Sequence, residues 1–165
     1  MINNRLSKQF LKKGYLISTI ENIKNFNRIE NRVFLILKKT LKIKKKVSKN
    51  NLFNNLHKHL DYKKLNSIRL KIYNDLNSEK WFKNAYYSLA SKTIDELVGS
   101  EIAIQKSINF SIQMPNDDSS KLEMHADSLS GESKFQIVLW VPLVNTYNTK
   151  SMYVFEKNLS IKELS

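Results

Sequence analysis

Two tripeptides place an imidazole and a carboxylate two residues apart: His59-Leu60-Asp61 and His125-Ala126-Asp127. These are donor types that suit non-haem Fe(II) chemistry, with coordination positions left open. The chain has no Cys, which excludes thiolate metal sites, Cys nucleophiles and disulfides, so metal chemistry would fall to three His and the carboxylates. About 0.1 such tripeptides are expected by composition, so a match by itself is weak evidence. Secondary structure separates the two. Leu52, Leu56 and Leu60 recur at intervals of four, a helical stripe. Residues two apart on a helix point about 200° apart, so His59 and Asp61 cannot share an ion, and His57 and His59 read as solvated helix histidines. On a strand, residues two apart share a face. His125 and Asp127 would then converge on one metal while Ala126 points away.

The elements that must position this pair divide the chain by periodicity. Residues 28–43 and 51–60 read as helices, with the compact run Val33 to Leu37 open to a short strand instead. The longest helical pattern runs from Ser78 to Val98, through Trp81, Phe82, Ala85, Tyr86 and Leu89, with Asn77 or Ser78 as its N-cap and Gly99 as its left-handed stop. After Gly99 the pattern turns to β. Ile102, Ile104, Ile108, Phe110 and Ile112 occupy even positions up to Pro115, a short strand is expected at 122–127, and 135–144 reads as another with Trp140 in the core. A last short strand fits 151–155. The fold class expected is α+β: basic, mainly helical residues 1–100, followed by β-structure in 101–165.

The 165 residues are 41% hydrophobic, enough for a core and too many for a disordered polyelectrolyte. The longest apolar run, Val33 to Leu37, is far short of the roughly 20 residues that a membrane helix needs. Lys8, Lys12 and Lys13 interrupt any apolar stretch of a secretory signal, so a cytoplasmic setting is expected. The net charge of +13 is unevenly spread: residues 1–100 hold 22 basic and 7 acidic side chains, whereas 101–165 hold 6 and 8. Lys dominates the excess, mixed with Asn and Ile. That mixture fits a solvated basic face better than a surface that binds phosphates or a membrane.

From Leu122 to Tyr153 the chain resembles the Fe(II)/2-oxoglutarate-dependent oxygenases of the phytanoyl-CoA dioxygenase type, most closely the sporadic carbohydrate cluster oxygenases. The matching residues are Met124-His125-Ala126-Asp127-Ser128 with the Gly131 turn, Trp140-Val141-Pro142-Leu143, and Thr149-Lys150-Ser151-Met152. Upstream, Ile104 to Asn109 and Gln113-Met114-Pro115 have the form of the strand that precedes the metal motif. The resemblance covers about residues 85–157. It implies a double-stranded β-helix, with His125 and Asp127 as iron ligands, 2-oxoglutarate as co-substrate, and Gln105 and Asn109 as polar contacts to it. It also implies oxidation of a carbohydrate or sugar-linked precursor.

The sequence departs from that pattern after Asp127. None of the following 38 residues is His, and no Arg follows Arg69 to hold the distal carboxylate of 2-oxoglutarate. A complete eight-stranded barrel needs on the order of 100 residues, more than Ile102 to Ser165 supplies. The expectation is therefore the first half of an oxygenase barrel, truncated and inactive, whose open sheet edges would make it aggregate, oligomerise or recruit a partner. The alternative expectation is a basic module that binds nucleic acid or an acidic surface without catalysis.

Overall fold

Leu65, Ile68, Ile72 and Leu76 recur every three or four residues, and none is more than 4% exposed. They form the buried stripe of a helix at Leu65–Asn77. In the computed structural model, which describes residues 5–118, 125, 127, 131, 133 and 135–156, the helices in chain order are α1 (Arg5–Lys13), α2 (Ile23–Thr40), α3 (Lys49–Asn54), α4 (Leu65–Asn77), α5 (Phe82–Tyr87) and α6 (Ser91–Val98). Short 3-10 turns at Leu56–Lys58 and Tyr62–Lys64 join α3 to α4. The described residues form two compact units, one within 5–29, 80–107 and 145–156, the other within 30–79 and 108–144.

In the second unit the stripe of α4 belongs to a core that also contains Val33, Ile36 and Leu37 of α2, and Leu52, Leu56 and Leu60. Each such side chain, fully buried, contributes about 1.5–3 kcal/mol relative to exposure. Ser48 caps α3 by accepting from the Asn51 amide at 3.2 Å. Ion pairs link Arg32 to Glu79 at 2.8 Å and Lys49 to Glu30 in this unit, and Lys71 pairs with Asp75 at 2.9 Å along α4 itself.

In the first unit α1 packs on α6, and Phe82, Ala85, Leu89 and Ala90 are buried. The Arg28 guanidinium stacks over the Trp81 ring at 3.9 Å, and burial pushes the Tyr86 phenol up to about 12. The N-cap of α6 is Ala90, which has no polar side chain, so a distant carboxylate does the capping. Glu21 accepts from the Lys92 and Thr93 amides, each at 2.9 Å, and from the Thr93 hydroxyl at 2.8 Å. Partial burial alone would raise its carboxyl, but the hydrogen bonds from Thr93 and Lys92 and the Lys92 charge outweigh that and hold it below 4.5. A lowered carboxyl contributes stability that is present above the unfolded value and lost as pH falls through the folded one. Glu21→Gln should therefore lower the unfolding free energy by about 0.5–2 kcal/mol at neutral pH, the usual range for a lost cap. In denaturant titrations that gap should close as the pH is taken below 4.5.

The helix expected from Ser78 to Val98 is broken at residues 88–90 into α5 and α6. It does stop at Gly99, whose φ of 84° and ψ of 177° lie in a region open essentially to glycine alone. Asn77 and Ser78 do not cap it; they close α4.

The α+β half barrel is not what the chain forms. Helix accounts for 49% of the structure and no strand or sheet occurs among the described residues, so the double-stranded β-helix is replaced by an all-helical fold. The expected strand at 122–127 lies outside the described residues apart from His125 and Asp127. The alternation in the preceding segment is real: Ile108, Ile112 and Met114 are buried while Asn109, Ser111 and Gln113 are exposed. A strand, however, is defined by its neighbour, and helix side chains meet this backbone instead. Asn77 accepts from the Ile108 amide at 2.7 Å and donates to its carbonyl at 3.0 Å, Arg69 donates to the Ile112 carbonyl, and Tyr62 donates to the Pro115 carbonyl. Residues 135–144 likewise have no ladder, leaving Phe135 95% and Val138 69% exposed and placing Trp140 at 47% rather than in a core.

Candidate functional site

Of the two His-x-Asp tripeptides, the structure brings only the second together. His125 Nε2 lies 3.5 Å from Asp127 Oδ1, and both side chains are close to half exposed. Gln136 Nε2 reaches the other carboxylate oxygen of Asp127 at 3.5 Å. Gln136 is placed by a turn in which its amide donates to the Ser133 carbonyl at 3.2 Å, while the Phe135 amide donates to the Ser133 hydroxyl at 3.1 Å. Gly131, at a φ of 90°, opens the same stretch.

His59 and Asp61 stay apart, for a reason other than helix geometry. His59 ends the 3-10 turn at Leu56–Lys58 and Asp61 begins the next, its carboxylate accepting from the Lys63 amide at 3.0 Å. The carboxylate is already occupied as a cap. His57 and His59 are both exposed. The two residues expected to touch 2-oxoglutarate are exposed as well, and they fall in different units, Gln105 in the first and Asn109 in the second.

Two ligands about 2.1 Å from one ion and at right angles to each other are about 3.0 Å apart. The separation of His125 and Asp127 is a little wider, so the pair could face one cation from one side. Among the described residues, however, no three His, Asp or Glu side chains come together. The metal-binding character expected of the chain is corrected accordingly: the pair supplies two donors where the resemblance implies an iron held by three, and no complete centre is formed among the described residues. With both groups charged, the same geometry is a half-exposed ion pair, worth little in water.

Sequence reasoning gave the groups that organise this region other roles or none, Asn77 being read as an N-cap. Asn77, Arg69 and Tyr62 hold the chain just upstream of the tripeptide, and Arg69 also lies 3.9 Å from Asp117. The only signal for them was their place on or beside a helix with an apolar stripe.

Comparison with known proteins finds no family model, no curated protein and no solved structure that matches this chain.

Proposed function

We propose that the chain is a relative of the 2-oxoglutarate-dependent oxygenases that oxidise carbohydrate-type substrates, and that its 165 residues do not by themselves turn over. The observation that carries this reading is the convergence of His125 and Asp127 within 3.5 Å, half open to solvent, in the one segment where the resemblance is concentrated. The second half of the reading follows from donor chemistry: two side chains leave the co-substrate without a third fixed point, and Arg69 is committed to the Ile112 carbonyl rather than to a ligand.

Two assays test the two halves separately. Incubated with 2-oxoglutarate, Fe(II), ascorbate and O2, the purified chain should give no more succinate than His125→Ala. Turnover present in the parent and absent in the variant would overturn the inactive half. A chimera carrying residues 101–156 in place of the matching segment of an active enzyme of this type should retain turnover that depends on His125. A folded chimera without it would overturn the relationship.

A further inference from the structure

The C-terminal end of α2 carries a feature unrelated to the oxygenase reading. The Lys42 amide donates to the Lys39 carbonyl at 3.2 Å and the Ile43 amide to the Lys38 carbonyl at 3.0 Å. These are the paired bonds of a Schellman turn, whose left-handed position is usually glycine. Here it is Lys42, at a φ of 53°. Glycine adopts that conformation freely, whereas a lysine does so against steric strain at Cβ.

Around Lys42 stand Lys38, Lys39, Lys44, Lys45 and Lys46, all exposed except the half-buried Lys38. None of the six makes an ion pair among the described residues. Carboxylates of the same unit are taken by other cations: Glu30 by Lys49, Glu79 by Arg32, Asp75 by Lys71 and Asp117 by Arg69. The helix dipole accounts for Lys38 and Lys39, but it falls off beyond the last turn and does not explain Lys42 or Lys44 to Lys46.

We propose that this cluster binds the phosphodiester backbone of a nucleic acid, engaging successive phosphates without reading bases. At about 3.3 Å per residue the chain from Lys42 to Lys46 can extend to about 13 Å. Successive phosphates of one strand rise about 3.4 Å along the duplex axis, so a segment laid along that axis has three or four within its reach. Residues 38–49 contain no Arg for a two-pronged base contact and no aromatic ring on which a base could stack. Leu41, Ile43 and Val47 are half-buried, so residues 41–47 offer no fully exposed apolar side chain to insert into a lipid surface.

Fluorescence anisotropy with a labelled 20-base-pair duplex and the full chain tests this. With four phosphates engaged, affinity should fall roughly 100-fold between 50 and 200 mM salt. In a variant combining Lys44→Gln, Lys45→Gln and Lys46→Gln the fall should be only roughly fourfold. Lys42→Gly should bind more weakly while melting at a higher temperature, since glycine relieves the strained turn. Unchanged affinity and salt dependence in the triple variant would overturn the site. So would tighter binding to phosphatidylserine vesicles than to the duplex, or discrimination among duplex sequences above about 10³-fold.

Discussion

Ile72→Ala is expected to destabilise the second unit by about 2–5 kcal/mol, the range for emptying a fully buried aliphatic position. Ile72 has no exposed surface and sits in the middle of the α4 stripe, between Ile68 and Leu76. Truncation removes its transfer free energy and leaves a cavity that Leu65 and Leu76, fixed on the same helix, cannot close. Leu89→Ala should do the same to the first unit, where Leu89 is 1% exposed in the turn between α5 and α6. Urea unfolding of each variant would check both. A midpoint within error of the parent would show that the residue is not core.

Asn77→Ala is expected to cost about 2–4 kcal/mol, because it strips both polar partners from one backbone unit at once. Ile108 is 7% exposed, so neither its amide nor its carbonyl can easily turn to water. Asn77 meets both groups and also donates to the Tyr73 carbonyl at 2.8 Å. Asn77→Asp should not rescue the loss. It keeps an acceptor for the Ile108 amide but sets a second carboxylate oxygen against two carbonyls. The pair of variants thus separates a hydrogen-bond clamp from simple volume, since aspartate and asparagine are almost the same size. Equal stability of Asn77→Asp and the parent would contradict the clamp.

The sequence shows some of these elements directly and conceals others for physical reasons. The helix read at residues 28–43 corresponds to α2, and the compact apolar run Val33 to Leu37 lies within it. Gly99 marks a true stop because its backbone angles are closed to other residues. The helix read at 51–60 is shorter, α3 followed by a 3-10 turn, since Asn54 and Asn55 turn their side chains back onto Asn50 and Asn51 carbonyls. α1 and α4 are not anticipated by the periodicity reading. The stripe Leu65, Ile68, Ile72 and Leu76 was there to be read, but Lys64 at the N-cap and the lack of an acidic first turn give α4 no starting signal. The β reading of 101–114 failed differently. Alternation reports that one face of an extended chain is buried, and a helix can bury that face as well as a sheet can. What covers it is a non-local fact that depends on Asn77 and Arg69, which lie 31 and 43 residues from their partners.

At the candidate site, the pairing of His125 with Asp127 was legible because it is local. The rejection of His59 with Asp61 was legible too, although its basis is two successive turns rather than one helix. The third donor implied by the resemblance was missing from the sequence pattern, and the structure supplies no substitute among the described residues.

Nuclear Overhauser and amide-exchange spectra of the labelled chain test the architecture most directly. Strong sequential amide contacts should run through α2 and α4, the Ile108 amide should exchange slowly, and the amides of Asn109 and Ser111 should exchange fast. No cross-strand Hα–Hα contacts should link residues 108–114 to 135–144. A continuous set of such contacts, with alternate amides protected along 108–114, would show a sheet in place of the helix-held segment and would contradict the all-helical architecture.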